Sequence, residues 1–212
     1  MEQDSPKPIR HALLLFGFLL LTSVVAPLQR WPLPLLLPIL LSSLVVWSTP
    51  SLRYRPDWLN LGRVNRPPLA LSVVALLLSP ALILAWYRLT SPNLFALSSQ
   101  IPRGSVLAVI LAGGVFALVN SVSEEVICRG VLQQALTARI GANASWIVQG
   151  VIFGCLHANG VPQGVLGMVL ASAFGIVLGW IRQESGGIGL CCTIHFCTDA
   201  AIFALLVATR NG

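Results

Sequence analysis

The sequence predicts an all-α protein: a polytopic membrane helix bundle of about seven transmembrane helices, folded as one integral membrane domain over residues 1–212. Three observations predict it. Hydrophobic residues make up 56% of the chain and charged residues 9%, with a mean hydropathy of +0.83. A soluble domain of this length needs far more charge to cover its surface. The apolar residues are gathered into runs, most of which approach the roughly 20 residues that a helix needs to cross a bilayer core. The net charge of +6 comes from arginines and one lysine that sit mainly between those runs, as the positive-inside rule expects.

The runs fall at about 11–28, 31–48, 69–87, 104–120, 145–158, 163–181 and 187–208. The first follows Lys7 and Arg10 and imitates a signal peptide. No small-x-small cleavage site follows it, so it is expected to remain as the first span. Pro32, Pro34 and Pro38 make the start of the second run irregular, which membrane helices tolerate when neighbours satisfy the freed carbonyls. The loop at 49–68 holds Arg53, Arg55, Arg63 and Arg66. With the N-terminus in the cytoplasm, Lys7, Arg10, Arg139 and Arg182 join that loop, leaving Arg30, Arg88, Arg103 and Arg210 outside; this bias sets the expected orientation in the cytoplasmic membrane. The fifth run is short and needs tilt or neighbours to complete a crossing. No basic stripe is interleaved with aromatics, so a nucleic-acid partner is excluded. The cysteines (Cys128, Cys155, Cys191, Cys192, Cys197) are odd in number and form no CxxC pair, which suggests small apolar packing rather than disulfides or a zinc knuckle.

Against this background three polar islands stand out. The first, Ser123–Gly130, carries Glu124, Glu125 and Arg129; the chain has only 7 Asp and Glu residues in all. The others are Phe153–His157 and His195–Asp199, and together they hold every histidine except His11. Ionisable side chains at membrane depth are costly and mark functional sites by default. Residues four apart share a helix face, so Glu125 pairs with Arg129 while Glu124 points elsewhere. A bland alternative takes Ser121-Val122-Ser123-Glu124 as a capping box starting a separate amphipathic helix over 122–139, with Gln133, Gln134 and Arg139 on a polar, interfacial face. The other bland alternative is a purely structural Glu125–Arg129 ion pair.

Gly141-Ala142-Asn143 reads as the turn of a helical hairpin. Glu124 lies 17 residues before Gly141 and His157 lies 16 after it, which sets both about 25 Å from the turn and at the same depth. His195 and Asp199 are again four apart. They form either a pair that locks the last helix to its neighbours or a site in which His195 meets a developing oxyanion and Asp199 fixes its tautomer. His157, His195 and a carboxylate could also bind zinc, although the His-Glu-x-x-His signature is absent.

Glu-Glu-x-x-x-Arg, then Phe-x-x-x-His, then His-x-x-x-Asp, in this order among membrane helices, resembles the CPBP family of CAAX prenyl endopeptidases and bacteriocin-processing enzymes, also called Abi proteins. The resemblance covers about residues 104–208. It implies an intramembrane endopeptidase of the glutamate type, acting on a membrane-associated protein or peptide, with no required cofactor. In that scheme Glu124 and His157 activate the attacking water, Glu125 and Arg129 support them, and His195 stabilises the oxyanion. Asp199 stands where many relatives have Asn, and an ionised Asp cannot donate to an oxyanion. A metal-dependent form of the same protease, a non-catalytic immunity or scaffold protein, and a proton-coupled transporter are the competing classes. The last expects a repeated motif, which the sequence lacks. A prenylated C-terminus, a bacteriocin leader and a C-terminal sorting tail remain open as substrates.

Overall fold

A computed structural model describes residues 6–210, so the outermost residues of the expected 1–212 domain lie outside the described part. The described residues are helical and contain no strand. The chain begins with α1 (Lys7–Val24), a short turn at Ala26–Gln29, and α2 (Leu33–Ser48). After the loop come α3 (Arg66–Thr90) and a single turn, α4 (Phe95–Ser98). α5 (Val106–Glu125), a π-helical segment (Val126–Leu132) and α6 (Gln133–Ile140) then form one rod, followed by α7 (Ala142–Leu156), α8 (Gly164–Ser185) and α9 (Gly189–Thr209). Among the described residues five helices are long and apolar enough to cross a membrane, the α5–α6 rod counting as one, against the about seven expected; α2 and α7 are apolar but shorter. The protein is an integral membrane helix bundle.

Side-chain distribution follows the solvent. Large apolar residues such as Leu20, Leu40, Leu77, Leu107, Leu111 and Val165 face outward. The interior carries small and polar residues, among them Ser42, Ser121, Gln133, Ser145 and Gln149. Lipid is as apolar as leucine, so close packing and internal hydrogen bonds hold such helices together. The seam between α7 and α8 shows both. Gly150 packs on Gly175, and Gly154 lies against Ser172 and the Met168 carbonyl so closely that an added Cβ has no room. Gln149 Nε2 donates to the Gly175 carbonyl at 2.7 Å, and Gln133 Nε2 from α6 donates to the Gly179 carbonyl at 2.9 Å.

Arg182, near the end of α8, pairs with Asp57 of the 49–65 loop. Gln134 donates to the Arg55 carbonyl, and the Arg63 amide donates to the Ser185 carbonyl. At the other end Arg210 donates to the Pro102 carbonyl. Tyr54 anchors the loop to α1 through His11 Nδ1 at 2.7 Å. Burial, reinforced by Asp57, pushes the Tyr54 phenol well above its usual range, with Trp58 acting weakly the other way.

The rod from 106 to 140 runs through the capping-box alternative at 121. Ser121 Oγ donates to the Leu118 carbonyl and caps nothing. The cap of α5 is Ser105, whose Oγ accepts from the Ala108 amide. Gln133, expected on a polar face, is fully buried. The physical reason is solvent: an interruption at 121 leaves backbone groups without partners in lipid. The helix therefore continues; Gln133 turns inward to bond α8, whereas Gln134 bonds the Arg55 carbonyl and Arg139 stays exposed. The rod passes through a π segment at Val126–Leu132, a local widening often found at functional sites.

Candidate active site

The rod delivers the first cluster. Glu125, the last residue of α5, is completely buried, and its Oε1 accepts from Arg129 Nη1 at 2.8 Å. The same oxygen meets His195 Nδ1 of α9 at 2.7 Å. A carboxylate oxygen paired with a guanidinium is an acceptor, so the proton of this bond belongs to His195 Nδ1. Arg129 is also completely buried. Its Cζ lies 4.4 Å from the ring centroid of Phe153, a cation–π contact that partly offsets the burial of its unbonded Nε and Nη2.

Gly141, with φ +82°, turns the chain from α6 into α7. His157 follows the last residue of α7, and its Nδ1 lies 2.8 Å from the Phe153 carbonyl. A carbonyl only accepts, so Nδ1 carries the proton and Nε2 is the other, basic nitrogen. That Nε2 lies 3.9 Å from Glu124 Oε2. The hairpin thus brings Glu124 and His157 to one level, and both side chains are 18% exposed.

From α9, His195 Nε2 lies 3.6 Å from the same Glu124 Oε2 and 3.7 Å from Asp199 Oδ1. Glu124 Oε2 is buried and has no hydrogen-bond partner. It faces two imidazole Nε2 atoms at distances beyond direct hydrogen bonding yet short enough for one water to bridge each pair. Phe153 and Phe174 wall His195 edge-on, with centroids 5.9 and 5.4 Å away. Ser79 of α3 and Thr198 of α9 share a hydrogen bond of 2.7 Å beside the cluster.

Two apolar cavities meet here. One, of about 230 Å³, runs between α3 and α8, past Leu78, Leu82 and Phe174, to His157, His195 and Asp199. The other, of about 470 Å³, reaches Glu124 and His157 from the α1–α2 side, past Phe16, Leu19 and Leu35. Phe153 and His157 border both. Among the described residues no group of three or more His, Cys, Asp or Glu is disposed to hold a metal ion, and the five cysteines are free.

Glu124, Glu125, Arg129, His157, His195 and Asp199, from four stretches of helix, therefore form one connected cluster. Sequence reasoning missed Asn120. Its Nδ2 donates to Glu124 Oε1 at 3.0 Å and to Asp199 Oδ2 at 3.2 Å. The available signal was an amide one helical turn before Glu124 in an otherwise apolar run. The wall residue Phe174 was also not assigned, because an apolar side chain in an apolar helix carries no signal of its own.

Compared with known families, residues 103–201 match the one described as "Type II CAAX prenyl endopeptidase Rce1-like". The match covers just under half of the chain and includes all six residues of the cluster. No curated protein and no solved structure matches the chain.

Proposed function

We propose that this chain, which belongs through residues 103–201 to the CAAX-type membrane protease family, is a glutamate-dependent intramembrane endopeptidase that cuts a membrane-associated protein or peptide. The observation that carries the mechanism is Glu124 Oε2, buried, without a partner, and facing both His157 Nε2 and His195 Nε2. Glu125 supports the site and does no proton chemistry, because Arg129 and His195 already hold it.

A water held between Glu124 Oε2 and His157 Nε2 gives a proton to Glu124 as its oxygen bonds to the scissile carbonyl carbon. His195, as the imidazolium, keeps Nδ1–H on Glu125 and donates Nε2–H to the oxyanion. When the tetrahedral intermediate collapses, the C–N bond breaks and the proton held by Glu124 passes to the leaving amine. Asp199 Oδ1, 3.7 Å from His195 Nε2, is too far for a direct hydrogen bond, and its negative charge favours the imidazolium. The two cavities give an apolar substrate segment an approach from either side of the dyad. Prenylated C-termini, bacteriocin leaders and C-terminal sorting tails are the three substrate chemistries to compare, the matched family being described as a CAAX prenyl endopeptidase. The basic end of the bundle, with Arg55, Arg63 and Arg182, is assigned to the cytoplasm.

Two measurements test this reading. Glu124→Ala and His157→Ala should each abolish cleavage in protein that inserts and unfolds normally, since losing a positioned base alone costs about 10²–10⁴-fold. Membrane proteins that accumulate uncut in Glu124→Ala cells identify the substrate. Near-normal proteolysis by either correctly inserted variant would remove the mechanism.

A further inference from the structure

We infer that Asn120 is a positioning residue that fixes which oxygen of Glu124 meets the water, a role that rests on the hydrolytic reading above. Asn120 and Glu124 lie one turn apart on α5, whereas Asp199 comes from α9, 79 residues away. The amide stands between two carboxylates. Carboxylate oxygens accept, so the NH₂ end faces both, and its two N–H groups are consumed, one on Glu124 Oε1 and one on Asp199 Oδ2. That leaves Glu124 Oε2 alone to face His157 and His195.

Glutamate has three rotatable bonds, and the cavity on the α1–α2 side gives this one room to turn away. A carboxylate tethered at one oxygen has its other oxygen aimed; an untethered one rotates. The same amide separates Glu124 from Asp199, which would otherwise face each other as like charges. Asn120 touches neither the water nor the substrate in this scheme, so its effect is carried through Glu124. No other amide side chain hydrogen-bonds a carboxylate of this cluster among the described residues.

A merely structural Asn120 would staple α5 to α9, and a reciprocal exchange separates the two roles. In Asn120→Asp/Asp199→Asn the α9 amide can donate back to the α5 carboxylate, so the staple is restored. The carboxylate that replaces the Asn120 amide has no N–H to give to Glu124, so the tether is not. Purified full-length protein is assayed in nanodiscs with a prenylated Cys-aliphatic-aliphatic-x peptide, a leader peptide and a C-terminal tail peptide. Kinetics are read on whichever the wild type cuts.

Asn120→Ala should lower kcat about 10- to 100-fold, the scale of a modest misplacement of a reacting group, with KM changed less than about threefold. The double variant should unfold at a higher temperature than Asn120→Ala while its kcat stays at least tenfold below that of Asp199→Asn alone. Asn120→Ala with wild-type kcat, or a double variant that regains stability and kcat together, overturns the inference. If Asn120→Ala does not fold, the double variant decides by the same comparison. Cleavage by Glu124→Ala in the same assay would instead overturn the hydrolytic reading on which the inference rests.

Discussion

Replacing Arg129 with Met removes the cation that lets Glu125 stay charged inside the bundle. Both side chains have zero exposure, and Glu125 meets Arg129 at 2.8 Å and His195 at 2.7 Å. Removing one member of a buried ion pair costs about 3–5 kcal/mol, because the other is left uncompensated. Arg129 also loses its stacking on Phe153, a further contribution of about 0.5–2 kcal/mol. At about 2–4 °C per kcal/mol for a chain of this size, the ion-pair term alone lowers the unfolding temperature by about 6–20 °C. Glu125→Gln/Arg129→Met should recover much of this loss. The amide oxygen still accepts from His195 Nδ1, and no charge is left unpaired. The assay is thermal unfolding in detergent or nanodiscs of wild type, both single variants and the double. A double variant whose loss equals the sum of the two single losses would refute the ion-pair account.

Three further outcomes are expected. Asp199→Asn should retain cleavage within about tenfold of wild type, because the amide can accept one hydrogen bond and donate another; a loss as deep as that of Glu124→Ala shows that a charged carboxylate is needed there. Active purified protein should carry substoichiometric zinc and keep its activity after chelation; stoichiometric zinc, with activity lost on removal and regained on return, transfers Glu124, His157 and His195 to ligand roles. Gly154→Leu should force α7 from α8 at Ser172 and the Met168 carbonyl, destabilising by about 1–3 kcal/mol or more and displacing His157 three residues later; a variant with wild-type melting and activity shows that this seam does not set the histidine's position.

The sequence alone determined the solvent, the class and the polar islands. Composition forces a helical membrane bundle because backbone groups in lipid must be satisfied within their own segment. Helical spacing determined that Glu125 meets Arg129, and the near-equal counts to Gly141 determined that Glu124 and His157 share a level. These are local relations, fixed by about 1.5 Å and 100° per residue. Tertiary structure decided what depends on neighbours. Ser121–Glu124 has the pattern of a helix start, yet the rod runs through it, because packing satisfies the side chains and lipid penalises a break. Local sequence could not weigh those costs. Nor could it show that Asn120 reaches Asp199, or that His195 takes Glu125 on one nitrogen and faces Glu124 with the other. Such contacts arise only when α5 and α9 lie side by side, and no periodicity within either helix encodes the distance between them.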